Sequence, residues 1–131
     1  MSRPAINSEV LQFLDQHVHS IRQLELLLLI CSSAHAWSVK EAAKALYSSQ
    51  NSTQAWLEEF KLQGVLTCDA DSKYLYHPET SAFKKVISQL AEEYKVRPLK
   101  VVEAILNRST NQMMSFLHAF QIKKEGSDDN S

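Results

Sequence analysis

The chain has few of the residues that punctuate a backbone: among 131 residues there are two glycines and three prolines. That scarcity argues against a β-rich fold, which needs many tight turns. It also leaves no material for a glycine-rich phosphate loop or a Gly-x-Ser-x-Gly nucleophile elbow. Cysteine is scarce too. Cys31 and Cys68 stand far apart in sequence, so no paired-cysteine metal motif is present. Each lies among apolar neighbours and reads as a buried small hydrophobe of a reducing compartment, while spacing cannot supply the geometry that would decide a disulfide. Charge of one sign is also missing. Fourteen Lys and Arg face fifteen Asp and Glu, for a net charge of −1. No global field draws the protein to nucleic acid or to an acidic membrane, so any contact with phosphate must come from a local patch. The longest apolar run, Leu24 to Cys31, falls well short of the ~20 residues that span a bilayer, and Met1 to Asn7 lacks the apolar core and cleavage site of a secretory signal. These absences lead to the expectation of a cytoplasmic protein without membrane contact.

What the chain does contain is apolar sequence at helical spacing. Hydrophobic residues make up 44%, enough for a single domain over 8–122 between a flexible leader, 1–7, and a disordered polar tail, 123–131. Periodicity and capping signals predict helices over about 8–18, 20–32, 39–46, 52–63, 81–95, 98–106 and 111–120. Ser8 is positioned to cap the first helix, whose apolar face is read as Leu11, Leu14 and Val18 with Val10 alongside. Ser20-x-x-Gln23 and Ser38-x-x-Glu41 have the form of capping boxes. Asn51 or Ser52 can cap the helix that carries the stripe Thr53, Trp56, Leu57 and Phe60, and Gly64 ends it. Val65–Cys68 and Lys73–His77, joined by the polar tip Asp69-Ala70-Asp71-Ser72, read as a hairpin that Pro78 terminates. Leu27, Leu28, Leu46, Leu57, Phe60 and Leu66 are expected in the core. Beyond Pro98, the residues Leu99, Val102, Ile105 and Leu106 continue the helical spacing. The fold class is therefore mainly α with a small β-hairpin, with a core over 20–77 and C-terminal helices over 79–122.

The order helix, turn, helix, glycine, hairpin over Ser38 to Tyr76 resembles the winged helix-turn-helix of bacterial transcription regulators. The matching residues are Ser38-Val39-x-Glu41-Ala42-Ala43-x-x-Leu46 and Leu57-x-x-Phe60-x-x-x-Gly64-Val65-Leu66. The whole chain also resembles a group of short bacterial winged-helix proteins of undefined function. That likeness is carried by Gln23-Leu24-Glu25-Leu26-Leu27-Leu28, by Ala36-Trp37-Ser38 and by the ending Phe116-Leu117-His118-Ala119-Phe120-Gln121-Ile122-Lys123-Lys124. The resemblance implies a winged helix-turn-helix with additional N- and C-terminal helices, acting as a DNA-binding regulator on double-stranded DNA. It implies Ser52, Thr53 and Gln54 as base readers, and phosphate contacts from Lys40, Lys44, Lys61 and Lys73. Departures from the pattern are the carboxylates Glu58 and Glu59 on the same helix and Asp69 and Asp71 at the hairpin tip, which repel phosphate.

The remaining features are read without a chemical role. Trp37 and Trp56 are core aromatics. The neighbouring pairs Glu58/Glu59 and Glu92/Glu93 diverge by roughly 100° on a helix, so neither converges as a catalytic pair. Cys31 and His35 have i, i+4 spacing, but no third and fourth ligand accompanies them, so no metal, cofactor or enzymatic activity is expected. Met113, Phe116, Leu117 and Phe120 either form a two-fold homodimer interface or fold back on Leu11 and Leu14. A protein-interaction module of the same fold, docking a protein partner without binding DNA, is the alternative function.

Overall fold

The computed structural model is described here for residues 6–107. The expected helix 111–120, with Met113, Phe116, Leu117 and Phe120, and the tail 123–131 lie outside the described residues, as does most of the leader 1–7. The elements run α1 (Ser8–His17), α2 (Ile21–Cys31), α3 (Val39–Leu46), α4 (Gln50–Leu62), β1 (Leu66–Cys68), β2 (Tyr74–Tyr76) and α5 (Ser81–Val96). A further helical stretch, here α6, covers 98–107.

Helix starts follow side-chain capping. The box at α3 is complete: Ser38 Oγ accepts from the Glu41 N–H at 3.1 Å, and Glu41 Oε1 accepts from the Ser38 N–H at 3.0 Å. At α2 the reciprocal arm is displaced by one residue, because Gln23 Oε1 accepts from the His19 N–H instead. Two caps differ from expectation. Asn7, not Ser8, caps α1 through its Oδ1. Ser49, not Asn51 or Ser52, caps α4, so that helix begins at Gln50. In the stretch Ser48-Ser49-Gln50-Asn51-Ser52 several side chains are able to cap; the winner is the one whose place lets Thr53 turn inward.

The core joins α1, α2, α4, β1, α5 and α6 through Val10, Phe13, Leu14, Leu24, Leu26, Leu27, Ile30, Leu57, Phe60, Leu66, Ile87, Leu90, Val101 and Ile105. Leu57 and Phe60 are fully buried or nearly so; each such side chain contributes roughly 1.5–3 kcal/mol by leaving water. Two apolar faces are rotated from the sequence reading. On α1 the buried set is Val10, Phe13 and Leu14, while Leu11 is exposed; α1 packs on α5, and Phe13 meets Phe83 there edge to face. On α6, Val101 and Ile105 are buried and Leu99 and Leu106 face outward. Leu28, expected in the core, is half-buried, because it lines an open groove of about 310 Å³ with Cys31, Tyr76, Ile87 and Tyr94. Cys31 and Cys68 are likewise half-buried free thiols rather than fully buried ones. Burial pushes the Cys31 thiol up to about 11.

The hairpin is antiparallel with Leu66 opposite Tyr76, Thr67 opposite Leu75 and Cys68 opposite Tyr74. Its tip is built by Asp69, whose Oδ1 accepts from the N–H groups of Asp71 and Lys73 at 2.9 and 3.0 Å. On its far side Tyr74 exchanges two backbone hydrogen bonds with Trp37, the residue just before Ser38. The periodicity gave no sign of that isolated bridge.

Candidate nucleic-acid interface

Helices α3 and α4 pack against each other. Ala42 and Ala43 are buried between elements, and their size lets the helices approach closely. The connection is short. Tyr47 takes the left-handed conformation, with φ 54° and ψ 42°, and Ser48 and Ser49 then lead into α4. Arg22 of α2 donates to the Leu46 carbonyl and so holds the end of α3.

The front of α4 is exposed at Gln50, Asn51, Ser52, Gln54 and Ala55. Thr53 is not part of it. Its side chain is fully buried; its hydroxyl donates to the Ser49 carbonyl at 2.8 Å and lies 2.9 Å from the Ser48 hydroxyl. The residue therefore fixes the turn from within, and its assignment as a base reader is withdrawn. Its place in the stripe Thr53, Leu57, Phe60 already marked it as inward-facing. Gln50 and Asn51, which lie before the expected helix 52–63, stand on the exposed first turn in its place.

The carboxylates that seemed to oppose DNA are partly engaged. Glu58 is half-buried and accepts from the Tyr74 hydroxyl of β2. Lys61 Nζ also lies 3.8 Å from Glu58, an exposed pair of small energetic worth. Burial, then the bond to Glu58, holds the Tyr74 phenol well above the usual tyrosine range. Glu59 accepts from Gln63 Nε2 at 3.3 Å. Of the expected phosphate ligands, Lys40 and Lys44 are exposed on α3, Lys61 is half-exposed and Lys73 is half-buried at the root of β2. Hydrogen bonds from Ser38, with a smaller contribution from the Lys73 charge, hold the Glu41 carboxyl below the usual carboxylate range. Lys73 thus stands near the start of α3. Between Glu41 and Glu58 the sequence contains no carboxylate, so the turn and the front of α4 form an acid-free stretch. Among the described residues no group of three His, Cys, Asp or Glu is placed to hold a metal ion, and no helix is long and apolar enough to cross a membrane.

Two packed helices, a left-handed turn, Gly64 and a two-stranded wing bonded back to α4 define a winged helix-turn-helix. A transcriptional regulator from Thermotoga maritima shares this fold, aligning over 92% of this chain and 86% of its own with a TM-score of 0.50 and 16% sequence identity. CouR from Rhodococcus jostii RHA1, solved with p-coumaroyl-CoA, aligns over 88% of this chain and 82% of its own at 16% identity and TM-score 0.45. A MarR-family transcriptional regulator from Rhodococcus sp. RHA1 aligns over 88% and 84% at 17% identity and TM-score 0.42. At 16% identity the likeness to the Thermotoga maritima protein is one of fold alone. No family model matches the sequence, and no curated protein does.

Proposed function

We propose that this protein is a non-catalytic, DNA-binding transcription regulator of the winged-helix type, acting as a homodimer in the bacterial cytoplasm. The observation that carries the reading is the front of α4: five exposed small or polar residues within its acid-free first six, with Glu58 drawn toward the wing by Tyr74. Ser52, Gln54, Gln50 and Asn51 are the candidate base readers, since an amide side chain can pair with adenine through two hydrogen bonds. Lys40, Lys44, Lys61 and Lys73 are the candidate phosphate contacts. Met113, Phe116, Leu117 and Phe120 are the candidate residues of a two-fold interface; Val96, Leu99 and Leu106 are exposed apolar residues that add to the surface available for one.

Fluorescence anisotropy with duplexes from the protein's own upstream region tests this. Four lysines predict a slope of log K against log salt of about −3 to −4 per subunit. Gln54→Ala lowers discrimination at one base position by about 1–3 kcal/mol. Replacing Glu58 and Glu59 together with Gln tightens non-specific binding. If no duplex binds at low salt, the reading falls. The alternative, a module that docks a protein partner, then takes its place; the net charge of −1 and the exposed Asp71 at the wing tip favour it.

A further inference from the structure

The two helices of the helix-turn-helix end in the same backbone motif with different residues in its special seat. At the end of α4, the Val65 N–H donates to the Phe60 carbonyl at 3.0 Å and the Gly64 N–H to Lys61 at 3.1 Å, with Gly64 at φ 86°. At the end of α3, the Ser48 N–H donates to Ala43 at 3.0 Å and the Tyr47 N–H to Lys44 at 3.3 Å, with Tyr47 at φ 54°. Both are Schellman closures, whose left-handed position suits glycine because a Cβ there crowds the backbone. Tyrosine occupies the second at a steric cost.

The protein recovers none of that cost through the side chain. Tyr47 is 90% exposed, the most exposed of the large apolar residues among those described. Its ring and hydroxyl make no hydrogen bond, ion pair or ring contact with the described residues. A side chain that is costly in its backbone position and unsupported by packing among the described residues is free to meet a partner. The surroundings set the chemistry of that partner. Lys44 is exposed one turn before Tyr47, α4 begins three residues after it, and no carboxylate lies between Glu41 and Glu58. A cation, a phenol donor and the electropositive start of a helix suit an anionic polymer.

We propose that Tyr47 docks the helix-turn-helix onto the sugar–phosphate backbone of double-stranded DNA, its hydroxyl donating to a phosphodiester oxygen and its ring lying against the deoxyribose. This deepens the DNA-binding reading above and rests on it. Tyr47 positions α4 and reads no base.

The test compares wild type with Tyr47→Asn, which suits the left-handed position, and Tyr47→Phe, which removes only the hydroxyl. Each full-length protein is melted and titrated against a fluorescein-labelled duplex of mixed sequence and one from the protein's own upstream region. Tyr47→Asn is expected to melt at or above the wild-type temperature yet bind both duplexes about tenfold more weakly, the scale of a hydrogen bond to a charged group. Because no charge is lost, its salt slope stays that of wild type. Tyr47→Phe falls between the two. If wild type binds duplex and both variants bind as tightly, Tyr47 faces a protein partner or nothing, and the proposal fails. It fails equally if Tyr47→Asn melts lower, which would give the ring a structural role. If wild type binds neither duplex, the DNA reading itself fails, and this inference with it.

Discussion

Thr53→Val separates the two roles that the sequence suggested for one residue. Valine keeps the shape of threonine and removes the hydroxyl, so the packing of this fully buried side chain is preserved. What disappears is a bond of 2.8 Å to the Ser49 carbonyl and a contact of 2.9 Å with the Ser48 hydroxyl. Both lie where Thr53 is fully buried. A neutral hydrogen bond contributes about 0.5–1.5 kcal/mol net, and a buried group left without its partner costs about 1–3 kcal/mol. Ser48 is only half-buried and regains some water, so the expected loss is about 1–2 kcal/mol. For a domain near a hundred residues each kcal/mol lowers the melting temperature by roughly 4–8 °C. Chemical denaturation gives the free energy, and a double-mutant cycle with Ser48→Ala gives the coupling between the hydroxyls. In duplex titrations Thr53→Val should leave the order of base preference intact, whereas Gln54→Ala should change it. A Thr53→Val variant with wild-type stability and altered base preference would show the hydroxyl facing outward and refute the assignment.

Two further predictions concern the ends of the same helices. Gly64→Ala places a Cβ 2.5 Å from the Glu79 carboxylate at φ 86°; that flexible side chain can move but the backbone strain cannot, so urea unfolding should show a loss of about 1–2 kcal/mol that Glu79→Ala does not restore. The Glu41 carboxyl is held below its ordinary value chiefly by the Ser38 backbone N–H, so its contribution is fully present above the unfolded-state pKa and is lost as the pH falls through the lowered folded one. The protection factors of amides at the start of α3, exchange measured relative to the intrinsic rate at each pH, should therefore fall on that acid limb in wild type, and a Glu41→Gln variant showing the same acid-dependent change would exclude Glu41 as its source.

Elements with their own local signal were legible in the sequence. The complete box at Ser38 and Glu41, the left-handed Gly64 and the polar tip at Asp69 each carry their cause within a few residues. The stripe Leu57, Phe60 and the hairpin flanks Leu66 and Tyr74 followed from periodicity. Whatever depended on distant partners was not legible. Phe13 is buried because α5 presents Phe83, and Val101 replaces Leu99 because of what α6 packs against; neither is visible in one helix's spacing. In the candidate site, Lys40, Lys44, Ser52 and Gln54 are exposed where the sequence placed them. The restraint of Glu58 depends on Tyr74, sixteen residues away, and the left-handed backbone of Tyr47 carried no signal because tyrosine seldom adopts it.

The bridge between Trp37 and Tyr74 has a consequence for how the protein behaves in a crowded solution. A hairpin of three-residue strands presents two rows of unpaired backbone groups, each a template on which another chain can add a strand. Trp37 occupies the outer row of β2, with its N–H donating at 2.8 Å and its carbonyl accepting at 2.6 Å. One side of the wing is thereby closed to strand addition by a residue that belongs to no regular element. Trp37→Pro, which removes the donor, would reopen that edge, and its first symptom would be slow aggregation of folded protein rather than altered recognition.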